Sequence, residues 1–175
     1  YKGMKYSYYV ATSTTNGAEG VTNGSLNIDG DGSLVINLYY VRETYKLTLN
    51  TSVGVATATA SEATGITKGA EANTYDVMYN VTVQLAHTLN TTGYTFKEWT
   101  VNAGNVTVSA SETFVMPTEQ VVLTATANAN VYKITYHGNS GKTEDGKTSI
   151  EQSVTYASIV TLIANTFVKE GYTFG

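Results

Sequence analysis

The sharpest chemical pattern in the chain is Asn27-x-Asp29-x-Asp31-Gly32, with oxygen-bearing side chains at alternate positions ahead of a glycine. That is the first half of a calcium loop, in which alternate oxygens face one ion and the glycine makes the sharp bend. The twelfth position, where a bidentate Glu belongs, is Leu38, and strand-like segments flank the motif. The plainer reading is an Asp-Gly hairpin turn leading into residues 34–40, with a weak surface cation site at Asn27, Asp29 and Asp31 as the alternative. The two histidines, His87 and His137, stand alone rather than at a ligand spacing such as four apart, so structural or surface roles are expected. Hydroxyls occur throughout, so a Ser or Thr near either imidazole carries no information about a nucleophile. No Gly-x-Ser-x-Gly elbow is present, and no carboxylate sits in a distinctive context. Lys46 with Asn128 or Asn130 would be the pair for an intramolecular isopeptide bond. That reaction needs a buried lysine, and alternation places Lys46 on the Thr48 face, away from Tyr45, Leu47 and Leu49. The chain is therefore expected not to be an enzyme and to use no cofactor.

Tyrosine is the other feature with chemical content. Of the 14 tyrosines, Tyr6, Tyr8, Tyr9, Tyr39 and Tyr40 cluster in the first block. Exposed tyrosine suits contact with protein or glycan, which makes Tyr6, Tyr8, Tyr39 and Tyr40 the candidate ligand-binding residues. Tyr39 and Tyr40, adjacent on one strand, must point to opposite faces, so one is expected in a core and one in solvent.

The elements that position these residues follow from composition and repetition. The chain is 42% hydrophobic and 14% charged, and about a sixth of it is Thr, so its solubility rests on hydroxyls and its composition favours strands. The absence of Cys rules out disulfides and Cys-ligated zinc. A net charge of −4, with Arg42 as the single arginine, argues against nucleic acid and anionic membranes. No apolar run reaches the ~18 residues of a membrane helix. The chain opens mid-pattern at Tyr1 with no visible signal peptide and reads as an excerpt from something longer.

Tyr45-Lys46-Leu47-Thr48-Leu49 returns 87 positions later as Tyr132-Lys133-Ile134-Thr135-Tyr136. At the same offset of 87, Leu34-Val35-Ile36-Asn37-Leu38 returns as Val121-Val122-Leu123-Thr124-Ala125. Tyr79-Asn80-Val81 leads to Gly93-Tyr94-Thr95-Phe96, as Tyr156-Ala157-Ser158 leads to Gly171-Tyr172-Thr173-Phe174. Three organisational units follow: 1–44, the back half of a module; 45–131, a complete one; and 132–175, the front half of a third. Two permuted periods, 1–93 and 94–171, fit as well. On the first phasing Tyr6 stands near the position of Trp99. Half a module cannot bury its apolar face alone, so the flanks must pack on each other, on the central unit or on another chain.

Alternation predicts strands at Tyr45/Leu47/Leu49, Val81/Val83/Leu85 and Val106/Val108. Asn16-Gly17, Asn23-Gly24, Asp29-Gly30 and Asp145-Gly146 predict turns, as does the single proline, Pro117. The Ala-rich residues 55–72 and the stretch 157–166 predict loops or at most a short helical turn. The fold class is thus mainly β, grading to α+β, with little helix.

These anchors carry a resemblance. Tyr132–Gly141 through Gly171-Tyr172-Thr173-Phe174 resembles the front of a Listeria–Bacteroides (internalin B-type) repeat. Gly93-Tyr94-Thr95-Phe96-Lys97-Glu98-Trp99, Phe114-Val115-Met116-Pro117 and Val121–Ala125 resemble a divergent B-repeat. Asp31–Tyr40 is similar to the end of mucin-binding (MucBP-type) repeats. The resemblance implies tandem small β-grasp-like modules of a secreted bacterial protein at the cell surface or cell wall. It implies either an adhesin-type stalk that presents other domains or an adhesive module for host mucin, glycan or matrix protein. The implied partners are neighbouring repeats and a host glycoprotein or glycan, with no nucleic acid and no membrane insertion.

Overall fold

In the computed structural model, residues 1–12, 30, 32 and 34–175 are described. They form twelve strands: β1 (Met4–Thr12), β2 (Val35–Arg42), β3 (Thr44–Thr51), β4 (Val55–Ala60), β5 (Ile66–Lys68), β6 (Thr74–Met78), β7 (Thr82–Leu89), β8 (Tyr94–Ala103), β9 (Thr113–Val115), β10 (Val121–Ala129), β11 (Val131–His137) and β12 (Ser149–Thr155). No helix occurs among the described residues. The mainly β reading therefore holds. The turns expected at Asn16-Gly17 and Asn23-Gly24, and Asp29 of the next, lie outside the described residues.

The strands form a five-stranded sheet of order β5-β6-β3-β10-β8, a three-stranded sheet β4-β7-β9, and the two-stranded ribbons β1-β2 and β11-β12. In β3 the side chains of Leu47 and Leu49 are fully buried while Lys46 between them and Tyr45 is exposed, as its alternation requires. β10 repeats the device with Val121, Leu123 and Ala125, and β7 with Val83 and Leu85. β3 and β6 pair antiparallel from Thr44↔Met78 to Thr48↔Thr74, which brings Val77 and Tyr75 beside Tyr45 and Leu47. Cross-strand neighbours of this kind are the unit of sheet stabilisation.

The chain divides into two compact units. One comprises Tyr1–Asn50, Ala58–Ala86 and Trp99–Thr124; the other comprises Thr51–Thr57, His87–Glu98 and Ala125–Gly175. The first holds every buried apolar side chain of the described residues except Val55 and Ala125.

Three local expectations need correction. Residues 55–72, expected as a loop, contain β4 and β5. In β4 the small residues Ala58 and Ala60 alternate with Thr57 and Thr59, and the alanines are buried. Alternation of Ala with Thr is a weak hydrophobic signal, but it is a period of two, and both residues fit tightly packed strands. Conversely, Val106/Val108 lie outside any strand. Gly104, at φ +91°, turns the chain out of β8, so alternation persists in the side chains without a backbone ladder. Thirdly, Tyr39 and Tyr40 are both exposed, at 44% and 38%. They do lie on opposite faces, but a two-stranded ribbon has no second layer to bury either one.

The stretch 157–166 is irregular and not helical. At Asp145-Gly146 the expected turn forms, with Gly146 at φ +84° and its N–H donating to the Thr143 carbonyl at 2.9 Å.

A matched pair of substitutions measures what the complete module supplies. Leu123→Ala should cost about 2–5 kcal/mol in urea unfolding, the usual loss for a fully buried leucine. Ile36→Ala, at the corresponding repeat position but 51% exposed, should cost under about 0.5 kcal/mol. Equal losses would show that the ribbon is as closely packed as the central module.

Candidate interaction surface

The tyrosine cluster lies on the β1-β2 ribbon, where Tyr6 faces Tyr40, Tyr8 faces Tyr39 and Tyr9 faces Leu38. A register shift between Tyr6 and Tyr8 inserts an extra residue in β1. Without it, residues two apart would share a face; with it, Tyr6 and Tyr8 fall on opposite faces. The four candidate residues are thus brought together in pairs. On one face Tyr40 meets Tyr6 edge-on at 6.1 Å and Tyr1 edge-on at 5.2 Å between ring centroids. On the other, Tyr8 and Tyr39 stack at 4.8 Å, with their planes 10° apart.

The repeat offset tells these faces apart. Ile36 and Leu38 share the Tyr40 face and correspond to Leu123 and Ala125, both fully buried in the central module. By the repeat offset, that face of the ribbon corresponds to the buried face of β10. Tyr39 corresponds to Thr126, which lies on the other face of β10 and donates to the Glu98 carbonyl at 2.9 Å. Tyr39 thus stands where the complete module carries threonine, with Tyr8 beside it on the same face. This distinction was not legible in the sequence, because the bulge that separates Tyr6 from Tyr8 leaves no residue-type signature.

The metal candidates Asn27, Asp29 and Asp31 lie outside the described residues. Among the described residues no group of three or more His, Asp or Glu is arranged to hold a metal ion. The His87 ring stacks on Phe96 at 3.6 Å between centroids, with their planes 14° apart. His137 borders a shallow groove of about 570 Å³ with Asn165, Phe167 and Lys169, and the Lys169 ammonium lies 4.3 Å over the Tyr172 ring. Lys46 is exposed and pairs with Glu71 at 2.8 Å. This pairing holds the lysine above its ordinary pKa and Glu71 below its own, the reverse of what an isopeptide nucleophile needs.

The best-formed polar cluster is the turn between β11 and β12. Thr143 and Lys147 are joined by two bonds, the Lys147 N–H donating to the Thr143 side-chain hydroxyl and the Thr143 N–H to the Lys147 carbonyl, both at 2.9 Å. Asp145 takes the Lys147 ammonium at 2.6 Å and also accepts from the Thr143 hydroxyl. These two donors, Lys147 first, hold its carboxyl down to about 2. The turn is legible in Asp145-Gly146, whereas the ion pair depends on the fold of the turn itself.

All-β modules that recur at a fixed offset along one chain define a repeat protein. Residues 45–130 match the divergent InlB B-repeat domain, and residues 132–175 match the Listeria-Bacteroides repeat domain. The chain belongs to this InlB B-type repeat family. No curated protein and no solved structure matches it. Listeria-Bacteroides repeats occur in bacterial surface proteins, and both families are compatible with a non-catalytic repeat segment. Among the described residues no helix is long and apolar enough to cross a membrane.

The Asp145 ion pair has a defined pH dependence. A carboxyl with a depressed folded pKa stabilises the turn above its unfolded value of ~3.9, and that contribution is lost as pH falls toward the folded value. A carboxyl-detected NMR titration should give Asp145 a midpoint near 2. Lys147→Met should raise that midpoint toward ~3.9. A wild-type midpoint already at the ordinary value would show that the ion pair does not persist in solution.

Proposed function

We propose that this chain is a spacer segment of a bacterial cell-surface protein, a run of folded repeats that holds other domains away from the cell wall. The observation that carries it is the tandem placement of two repeats of one family, at 45–130 and 132–175, with Val131 alone between them. With Asn130 alone between β10 and β11, the connection leaves no slack for a flexible tether, so length along the chain becomes reach. The low charge and Thr-rich strands suit a surface that needs solubility without a partner.

A second reading, adhesion to host mucin, glycan or matrix protein, is favoured by the stacked pair Tyr8 and Tyr39. Two exposed aromatic rings on the face opposite the one that corresponds to the core form a contact surface for a glycan or a polypeptide. The similarity of Asp31–Tyr40 to mucin-binding repeats points the same way.

One experiment separates the readings: binding of the chain to immobilised mucins, matrix proteins and a glycan array, beside Tyr8→Ala/Tyr39→Ala and Tyr6→Ala/Tyr40→Ala variants. The spacer predicts no binding above an unrelated β-module in any of them. Saturable binding lost in the Tyr8/Tyr39 variant and retained in the Tyr6/Tyr40 variant would make the ribbon an adhesive surface and overturn the spacer.

A further inference from the structure

Two sets of contacts, one at each repeat boundary, copy each other. At the first boundary the Glu43 N–H donates to the Gly3 carbonyl at 3.0 Å, and the Tyr79 N–H donates to the Glu43 carbonyl at 2.8 Å. At the second, the Asn130 N–H donates to the Gly93 carbonyl and the Tyr156 N–H to the Asn130 carbonyl, both at 2.8 Å. Glu43 and Asn130 stand 87 positions apart, each two residues before the tyrosine that opens the next repeat, Tyr45 or Tyr132. Tyr79 and Tyr156 are also repeat counterparts, and each precedes a residue of left-handed backbone, Asn80 at φ 60° and Ala157 at φ 59°.

The side chains agree with the backbone. The Tyr79 ring lies so close over Gly3 that a Cβ there would sit 2.3 Å from it. The Tyr156 ring lies over Gly93 in the same way, at 2.5 Å from such a Cβ. Real Cβ atoms do not approach that closely, so glycine is required for the ring to seat. Gly3 also takes φ +69°, a second reason for glycine there. Each glycine heads a Gly-x-x-aromatic segment, Gly3-Met4-Lys5-Tyr6 and Gly93-Tyr94-Thr95-Phe96. This alignment sets Tyr6 level with Phe96 rather than with Trp99, three residues from where the sequence phasing put it.

We infer that the glycine-tyrosine stack is the docking interface by which one repeat seats the next. Gly3 and Gly93 are the sockets, the backbones of Glu43 and Asn130 are the bridges, and Tyr79 and Tyr156 are the rings that close them. The partner this surface fits is a B-repeat whose residue before the left-handed turn is tyrosine. An aromatic ring over bare backbone shields the two consecutive hydrogen bonds from water, and a hydrogen bond is stronger where water is excluded. The second boundary adds side-chain contacts around the same bridge. Asn130 donates to the Thr92 carbonyl at 2.9 Å and accepts from the Thr95 hydroxyl at 2.6 Å, and the Tyr94 and Tyr156 rings meet edge-on at 5.3 Å. At the first boundary the Glu43 carboxylate instead accepts from the Tyr45 hydroxyl at 2.7 Å, so the bridging side chain varies while the backbone path is kept.

This geometry stands independently of the spacer reading; where the repeats act as a spacer, the interface is where their stiffness is set. The test is amide hydrogen exchange by NMR on the full chain. In Tyr156→Ala and in Gly93→Ala the Asn130 amide should exchange at least tenfold faster than in the wild type. Tyr156→Phe, which keeps the ring, should exchange as the wild type does. The Leu49 and Leu85 amides, bonded to Asn73 and Glu112 at 2.9 Å, should be unchanged in all three and so report an intact fold. Tyr79→Ala, read at the Glu43 amide, repeats the measurement at the other boundary. Unchanged exchange at Asn130 in Tyr156→Ala, or equal acceleration in Tyr156→Phe, would overturn the interface. Neither result would touch the spacer reading, which is tested by binding.

Discussion

Everything ordered in the central module depends on β3 and β10 lying side by side. They are the opening and closing strands of the repeat, and they sit next to each other in the five-stranded sheet. Their inward residues Leu47, Leu49, Val121 and Leu123 are all fully buried. Bringing together segments so far apart in sequence carries a loop-closure cost, and only simultaneous burial of both apolar rows offsets it. The intervening strands follow from that closure: β6 and β5 extend the sheet beyond β3, and β8 extends it beyond β10.

The same constraint accounts for the flanks. β2 carries the residue pattern of β10, and β11 that of β3, yet each is in a two-stranded ribbon. Ile36 and Leu38 are about half exposed, although their counterparts Leu123 and Ala125 are fully buried. Burial here belongs to the completed repeat and not to the strand. An exposed apolar residue on β2 is therefore no evidence of a ligand surface if its counterpart is a core position. What remains after that filter is the stacked Tyr8/Tyr39 pair, which owes its place to a bulge.

The polar chemistry is local. Lys46 with Glu71, Lys133 with Glu151, and Lys147 with Asp145 are exposed pairs that steady a strand or a turn. Such pairs are screened by solvent and add little to stability. At the repeat boundaries the persistent element is different: a backbone carbonyl, a backbone amide and an aromatic ring over a glycine. Because that interface uses so little side-chain specificity, Glu43 and Asn130 can occupy the same bridging position with different side-chain partners.

By itself the sequence determined the strand class, the offset of 87 between repeats, the outward face of Lys46 and the turn at Asp145-Gly146. These follow from side-chain alternation and short-range backbone preference, which act over a few residues and can be read from them. It did not disclose β4, because an Ala/Thr alternation carries almost no hydrophobic contrast, and it marked Val106/Val108 as a strand because alternation does not report backbone pairing. Tertiary structure alone decided that Tyr39 and Tyr40 are both exposed, that Tyr6 and Tyr8 part company across the ribbon, and that Gly3 and Gly93 receive tyrosine rings from distant segments. Each of those outcomes depends on a bulge, a missing second layer or a close approach between residues far apart in the chain. Such contacts exist only once the strands have found their neighbours.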